Sequence, residues 1–435
     1  MHKRAFPIST IINLTANIMI AAPYTLIMNR RDFIQSASKW LLALAGAGFG
    51  HTMAGMKTVA ESSRAADSSV TWFLCGDVMT GRGIDQVLPH PGNPLIHESY
   101  MKSALGYVTI AEKVSGPITR PVDLDYIWGD ALDELDRRNP DLRIINLETS
   151  VTTSDDFWPR KGINYRMHPN NTPTISAAGI DCCVLANNHV LDWGYSGLEE
   201  TLNTLHDAGL QTVGAGLDLE QAQMPAIFGL GEKGRVIVIS LASETSGVPP
   251  TWAARYDRAG VNFIADISPS TVRRITDQVE AMKQQGDIVV VSIHWGSNWG
   301  YQVPDEQREF AHRLIDEASV DVIHGHSSHH PRGIEVYRNK PIIYGCGDFI
   351  NDYEGIRGHE SYRGDLSLMY FLEINPADGG LISLEMVPHQ IRKFSLNRAS
   401  KQDTTWLKNT LHRESQEFNT RVKLTKNDVL ALGWQ

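Results

Sequence analysis

The residues best suited to chemistry in this sequence follow the ends of apolar runs. The clearest case is Asn187-Asn188-His189, which directly follows the apolar run 182–185 and precedes Asp192. A buried strand with this ending would leave several donors and acceptors without partners unless a metal, a substrate or a dedicated network satisfied them. Strand ends are also where α/β proteins collect their active sites. The alternative interpretation is an Asx-type turn in which Asp192 caps a helix.

Other apolar runs end in carboxylate or imidazole groups. These groups are Asp77, Glu148, His294, and the pair His326 and His329. Taken singly, a histidine at a strand end is more often a hydrogen-bonded structural residue than a ligand. Taken together, nitrogen and oxygen groups from separate strands are the mixture that a divalent cation such as Zn, Mn or Fe prefers. The pattern therefore predicts a metal site.

The chemistry of such a site would be hydrolytic. A pair of divalent ions would polarise a phosphoryl or carbonyl oxygen and convert bound water to hydroxide near neutral pH. His189 would then protonate the leaving group, with Asp192 or another carboxylate setting the tautomer of its ring. The competing interpretation is that Asn187, Asn188 and His189 only bind an anion.

Three arginines accompany these groups. Arg82, Arg166 and Arg332 could hold a phosphate or carboxylate by forked hydrogen bonds. For each of them a salt bridge at the surface is an equally good interpretation. We take Arg82, Arg166 and Asn187 as the candidates for substrate binding.

The whole chain has the composition of an ordinary globular protein. Its 435 residues are 42% hydrophobic, and 40 basic against 50 acidic residues give a formal net charge of −10, which argues against general nucleic-acid binding. Its four cysteines show no C-x-x-C spacing, which argues against a disulfide framework or a zinc knuckle. Cys182 and Cys183 should point to opposite faces of one strand.

The order of apolar runs and helical periodicity indicates an α/β fold. Buried strands are predicted at 70–74, 142–145, 182–185, 236–241, 288–293 and 320–323, with helices at 197–208, 270–285 and 305–318. Hairpins are predicted within 333–344 and 367–387, followed by a peripheral helix at 404–420.

The N-terminus resembles a twin-arginine export signal. Asn29-Arg30-Arg31-Asp32-Phe33-Ile34 precedes a moderately apolar run at 40–49. An uncleaved amphipathic arm is the alternative, and residues 11–28 form a second apolar stretch that could anchor the chain in a membrane. Translation starts at Met1 or at Met28. We expect an exported protein, periplasmic, otherwise extracytoplasmic, or attached to the membrane by an uncleaved N-terminal segment.

Six motifs, in this order, resemble the capsule-synthesis CapA-type (poly-γ-glutamate biosynthesis) family, which is similar to the calcineurin-like metallophosphatases. The motifs are Gly76-Asp77-Val78-Met79-Thr80-Gly81-Arg82, Asn146-Leu147-Glu148, the segment 186–194, His294-Trp295-Gly296, Gly325-His326-Ser327-Ser328-His329, and Tyr344-Gly345-Cys346-Gly347-Asp348-Phe349. The resemblance implies an αββα sandwich of two mixed β-sheets flanked by helices, with the site at the strand ends. It also implies an extension at 1–69, a metallophosphatase-like domain at 70–355, and C-terminal strands with a helix at 356–435.

The resemblance implies a ligand set of Asp77, Glu148, Asn188, His294, His326 and His329 for one or two Mn, Zn or Fe ions, with His189 as the acid. Four departures from the family pattern affect this set. Ser297 and Asn298 follow His-Trp-Gly where many members have an acidic residue, and Gly-His-Ser-Ser-His stands where Gly-His-His-Pro-His is common. Metallophosphatases usually carry a histidine two residues after the first aspartate, where this chain has Met79. Many family members have Gly-Asn-Phe where this chain has Gly347-Asp348-Phe349. The sequence therefore leaves open whether two, one or no ions bind.

Two functions follow from the resemblance. The first is metal-dependent hydrolysis of phosphoester or amide bonds in the synthesis or export of an anionic surface polymer such as poly-γ-glutamate. The second is a non-catalytic subunit that holds the polyanion for a membrane synthase or exporter. The implied partners are thus the anionic polymer or its precursor and membrane synthase or exporter subunits, with no nucleic acid.

Overall fold

A computed structural model describes residues 69–435 of the chain. The twin-arginine-like segment, Met28 and the apolar stretch 11–28 lie outside these residues, so the predictions for the N-terminus stay predictions. Among the described residues, no helix combines the length and apolar character needed to cross a membrane.

The described helices alternate with strands along most of the chain. The helices are α1 (Leu105–Ser115), α2 (Ala131–Arg138), α3 (Pro173–Ser176), α4 (Gly194–Asp207), α5 (Leu219–Gln223), α6 (Pro269–Glu280), α7 (Asp305–Glu317) and α8 (Lys401–Ser415). The strands are β1 (Val70–Val78), β2 (Leu142–Leu147), β3 (Ser150–Val151), β4 (Arg166–Met167), β5 (Cys182–Val184), β6 (Gln211–Val213), β7 (Ala215–Gly216), β8 (Ala226–Gly229), β9 (Arg235–Ser243), β10 (Gly260–Val261), β11 (Phe263–Ile264), β12 (Asp287–His294), β13 (Val322–His326), β14 (Ile334–Tyr337), β15 (Lys340–Ile343), β16 (Asp348–Ile350), β17 (Leu366–Asn375), β18 (Gly380–Arg392), β19 (Ser395–Arg398), β20 (Arg421–Leu424) and β21 (Leu430–Gly433).

Two large mixed sheets carry the fold. The first has ten strands in the order β20-β21-β18-β17-β1-β2-β5-β6, with β16 on β1 and β19 on β18. The second has seven, in the order β11-β9-β12-β13-β15-β14, with β8 on β9. In the first sheet β1 pairs in parallel with β2 and antiparallel with β17, and in the second β12 pairs in parallel with β13 while β8 runs antiparallel to β9.

The side chains show that these sheets form the two middle layers of a four-layer sandwich. Alternate residues of a strand point to opposite faces, and on β12 Val290 packs in the cluster shared by both sheets while Val291 packs against α6 and α7. On β5 Cys182 enters the shared cluster and Cys183 packs on the helical side. The predicted αββα architecture and the opposite orientation of the two cysteines are therefore confirmed.

Local signals explain where the helices begin. Ser268 caps α6 by accepting a hydrogen bond from the Thr271 amide, and Pro269 occupies the first turn, where its missing N–H is not needed. In α7, Phe310 and Leu314 lie on one buried face, as the helical spacing predicts.

One feature of the prediction is wrong. The C-terminal helix α8 is not peripheral, because Leu407 and Leu411 are completely buried in the cluster between the two sheets. The helix therefore closes one end of the inter-sheet core.

Candidate metal centre

The two sheets bring their polar strand ends together. β1, β2 and β5 are parallel neighbours in the first sheet, and β12 and β13 are parallel neighbours in the second. The carboxyl ends of parallel neighbours lie on the same side of a sheet. The gap between the sheets is bridged at this edge, where Asn188 Oδ1 lies 3.1 Å from His294 Nε2.

One group of potential ligands joins both sheets. Single ligand atoms of Asp77, His294 and His326 lie within 4.8 Å of one another, and all three residues are buried. His294 and His326 are directly opposite each other on β12 and β13, with their Nδ1 atoms 2.7 Å apart. The side-chain oxygen of Asn188 lies next to the other ring nitrogen of His294, Nε2. Four of the six predicted ligands thus come together.

A chain of hydrogen bonds fixes the ring of His326 from behind. Ser292 Oγ lies 2.9 Å from His326 Nε2 and 3.0 Å from His324 Nδ1, and His324 Nε2 lies 2.8 Å from the Cys75 carbonyl oxygen. Such outer contacts orient the imidazole ligands of metal sites. His324 was not predicted to have a role, and its position two residues before His326 on the same face of β13 was the available signal.

A second group shares Asp77 with the first. It consists of Asp77, His329 and Asp348, again buried and with ligand atoms within 4.8 Å of one another. Asp348 Oδ1 lies 2.8 Å from His329 Nδ1. Asp348 was missing from the predicted set, although the departure from Gly-Asn-Phe was a signal for it.

Glu148 lies between the groups. Its Oε1 is 3.6 Å from His189 Nε2 and 3.9 Å from His294 Nε2. Its Oε2 and the Oδ2 of Asp77 are buried without a hydrogen-bond partner among the described residues. Burial, followed by the charge of Asp348, raises the pKa of Asp77 to about 7, and burial followed by Asp77 raises that of Glu148 well above its usual value.

These carboxylates fit a divalent cation. Buried anions normally require a cation or a metal, and the orphaned oxygens are free to ligate one. The donor set of carboxylate, amide and imidazole is the kind that Mn, Zn or Fe accepts.

His189 borders this centre and belongs to a network of its own. Asp192 Oδ2 lies 2.6 Å from His189 Nδ1, so we assign the ring proton to Nδ1 and the free lone pair to Nε2, which faces Glu148. Burial lowers the pKa of His189 to about 4, with Asp192 opposing the shift and Lys161 adding to it.

Lys161 is a third residue, after His324 and Asp348, that the sequence did not predict. Its Nζ lies 2.6 Å from Asp192 Oδ1 and 3.0 Å from His189 Nδ1. It lies in an irregular loop before β4, where no periodicity or motif pointed to it. Its ammonium group balances the buried charge of Asp192.

Arg82 is near the centre but its hydrogen bonds are used within the protein. Its guanidinium forms a forked pair with Asp352, with Nε–Oδ2 at 2.8 Å, and contacts Glu98 at 2.9 Å. The rings of Tyr107 and Tyr165 cover it, with centroids 3.6 and 4.6 Å from Cζ.

The other substrate-binding candidates are also engaged internally. Arg166 donates to the Ser154 and Asn93 carbonyl oxygens and stacks on Trp193. Asn187 is buried and donates to the Leu147 carbonyl oxygen. Arg332 donates to the Ser297 carbonyl oxygen. A role for Arg82, Arg166 or Asn187 in substrate binding therefore stays a prediction.

An open cavity leads to the centre. Its volume is about 740 Å³, and His329 lies in its wall. Arg357 and Arg392 also line it and are exposed, whereas Arg363 in the same wall is paired with Asp365. Glu354 and Glu360 line it too, so the two exposed arginines lie among groups of both charges.

Comparison with known proteins identifies the family of the chain. The family described as "Bacterial capsule synthesis protein PGA_cap" matches residues 71–353. A "probable polyglutamine synthesis accessory protein" of Mycobacterium tuberculosis is 52% identical over 83% of this chain and 95% of its own length. The "PGA biosynthesis protein CapA" of Bacillus subtilis is 26% identical over 80% of this chain and 81% of its own length.

A crystal structure of a phosphatase from Mycoplasma pneumoniae covers 74% of this chain and 93% of its own, with a TM-score of 0.40 and 13% identity. A likeness this distant carries no conclusion about a reaction. The family match and the mycobacterial relative both extend over most of the described residues. The chain therefore belongs to the bacterial capsule synthesis protein family PGA_cap.

Proposed function

We propose that this protein is a metal-dependent hydrolase that cleaves phosphoester or amide bonds during the synthesis or export of an anionic surface polymer such as poly-γ-glutamate. The observation that carries the proposal is the position of Asp77, which is shared by two groups of potential metal ligands beside the His189–Asp192 pair. The names of the relatives, which refer to polyglutamine synthesis and to PGA biosynthesis, support the choice of polymer.

Asp77, His294 and His326, with Asn188, would hold one ion, and Asp77 with His329 would hold part of a second site. The chemistry that divalent ions supply in such a centre is polarisation of the substrate oxygen and a nucleophile active near neutral pH. Because the ions would lie between the sheets, the surrounding low dielectric strengthens their effect on the substrate.

His189 moves the proton in this proposal. Its pKa of about 4 keeps the ring neutral near pH 7, so Nε2 first takes a proton from the attacking water. The water oxygen forms the new bond to the phosphorus or carbonyl carbon as the bond to the leaving group breaks. Asp192 holds the opposite edge of the ring through Nδ1 and stabilises the imidazolium that forms. His189 then delivers the proton from Nε2 to the leaving group.

The experiment is a hydrolysis assay with Mn²⁺-loaded protein on a chromogenic phosphodiester and on a γ-glutamyl peptide. We expect activity that chelation abolishes and that the double substitution His189→Ala with His294→Ala eliminates. The matched control is His312→Ala, since His312 is hydrogen-bonded to Glu335 away from the centre. Metal-independent hydrolysis, or activity that survives the double substitution, would remove this mechanism.

A non-catalytic polymer-binding role is the second candidate, and the open cavity with exposed Arg357 and Arg392 favours it. In this role the polymer would bind equally well with and without chelator and with the histidines removed. Substituting both arginines by glutamine would abolish binding. Hydrolysis of the bound polymer would favour the hydrolase over the non-catalytic role.

We also propose that the protein is exported and works beside membrane synthase or exporter subunits. The support is the paired Arg30-Arg31 followed by an apolar run. Fractionation of cells expressing the full chain and its Arg30→Lys, Arg31→Lys variant provides the test. Retention of the variant in the cytoplasm is expected, and an unchanged distribution would contradict the proposal.

A further inference from the structure

We propose that Asp348 is a direct ligand of the second metal ion and replaces the ligand that position 79 lacks. The inference rests on the proposed function only in assuming that the centre binds divalent ions. It adds a residue whose role neither the family resemblance nor the motif pattern assigned.

The backbone places Asp348 beside Asp77. Strands β1 and β16 are parallel, and Asp77 is the direct register partner of Asp348. Both residues are almost completely buried, and each offers a carboxylate oxygen within 4.8 Å of the other and of a His329 nitrogen. The three side chains thus converge from two neighbouring strand ends and the loop after β13.

The carboxylate of Asp348 retains capacity for a metal. Its Oδ1 accepts from His329 Nδ1 at 2.8 Å, and its Oδ2 accepts from Asn351 Nδ2 at 2.8 Å. A carboxylate has about four lone-pair positions, so these two bonds leave half of them free. Across from it, Asp77 Oδ2 is buried with no hydrogen-bond partner in the described part of the chain.

Position 79 cannot supply the ligand. Met79 is completely buried, and its sulfur accepts a hydrogen bond from the Tyr353 hydroxyl at 3.8 Å. A thioether is a soft ligand, whereas oxygen and nitrogen ligands suit Mn²⁺. Tyr353 in turn packs edge-on against His329, with ring centroids 5.3 Å apart. Tyr353 therefore covers one side of His329, whose Nε2 lies 3.0 Å from Asn298 Nδ2. Asp348 is the carboxylate beside the ring that can complete the site.

The competing role for Asp348 is to orient His329 by a hydrogen bond without touching the ion. Loss of an orienting contact typically weakens metal affinity about 10–100-fold. Mn²⁺ at about a hundred times the concentration that saturates wild type compensates for such a loss. We expect the loss of a direct ligand to weaken binding by more than this factor, so that the second ion stays absent at that concentration. Stoichiometry at saturating metal therefore separates the two roles.

The experiment measures Mn²⁺ alone on the full chain, by elemental analysis and by the electron paramagnetic resonance signal of spin-coupled manganese pairs. The variants are Asp348→Ala and Asp348→Leu, neither of which offers a ligand atom. The control is Asp85→Asn, which changes a buried carboxylate that accepts from the His168 and Gly92 amides outside the centre. Circular dichroism of the metal-free proteins checks folding, and Asp348→Leu, which keeps the side-chain shape, serves if the alanine variant does not fold.

We expect a coupled pair in wild type and in Asp85→Asn, and a single uncoupled ion in Asp348→Ala. A coupled pair in Asp348→Ala at saturating Mn²⁺ would overturn the inference and leave the proposed hydrolase intact. A wild type that binds no ion would defeat both. A third outcome separates the two proposals: wild type binds a coupled pair but hydrolyses neither substrate, and Asp348→Ala binds one ion. This result would support Asp348 as a ligand and contradict the hydrolase.

Discussion

Replacing Arg82 by methionine should destabilise the protein because it leaves two buried carboxylates without their cation. Arg82 is 2% exposed, and both of its partners, Glu98 and Asp352, are 0% exposed. Removing one member of a buried ion pair typically costs about 3–5 kcal/mol, since the remaining charges are left without compensation. Methionine keeps much of the side-chain volume, so the loss reflects charge and hydrogen bonds rather than a large cavity.

This free energy converts into a measurable shift in melting temperature. With an unfolding entropy of about 2.1 cal/mol/K per residue, a chain of this length loses about 3–6 °C in Tm. Differential scanning calorimetry of wild type and Arg82→Met provides the measurement. Arg137→Met is the matched control, because Arg137 forms an exposed ion pair with Glu134 whose loss should change Tm by less than about 1 °C.

The result also tests the alternative role of Arg82. If Arg82 serves mainly to bind substrate, Arg82→Met would weaken binding of poly-γ-glutamate while leaving Tm unchanged. That outcome would refute the reasoning, because it would show that Glu98 and Asp352 do not need the guanidinium.

Three further predictions concern the proton-transfer pair, the core and the metal. Asp192→Asn should lower kcat by about 10²–10⁴-fold with unchanged Mn²⁺ content, because His189 loses the carboxylate that holds its Nδ1 proton and stabilises the imidazolium. An unchanged kcat in the phosphodiester assay would exclude this role for Asp192. Leu411→Ala should lower the free energy of unfolding by about 2–5 kcal/mol, because it opens a cavity between the sheets. Urea titrations measure this loss, and a loss below about 1 kcal/mol would show that α8 is peripheral. Chelation should lower the free energy of unfolding by about 2.7 kcal/mol, compared with protein in the presence of free metal at a hundred times Kd. A melting temperature that does not change with chelator would argue that the folded state does not bind the ion.

Much of the fold could be predicted because local patterns encode it. The β-branched runs at 236–241 and 288–293 both fall within strands, and the apolar spacing at 305–318 corresponds to α7. A strand that is buried on both faces consists of consecutive apolar residues, so it can be recognised in the sequence. The burial of α8 was not predicted because its buried apolar residues, Leu407 and Leu411, are few among polar neighbours.

The centre was predictable where polar residues closely follow an apolar run. Asp77, Asn188 and His294 satisfy that condition, and the structure brings them together. Asp348 and Lys161 do not, because their places depend on pairing between distant strands and on the path of an irregular loop. Such long-range contacts leave no periodicity in the sequence.

Arg82 illustrates the same limit. Its position next to the first motif suggested a free cation for a substrate, but its main partner, Asp352, lies 270 positions later in the chain. No local pattern could reveal that the guanidinium is already neutralised.

The measurement that tests the central claim most directly is the metal content of the protein purified without a metal-binding affinity tag. Wild type should carry about two equivalents of Mn, Zn or Fe, and His294→Ala should lose at least one of them, because His294 contacts both His326 and Asn188. Wild type that holds no metal, even after reconstitution with each of the three ions, would contradict the metal centre and favour the polymer-binding role.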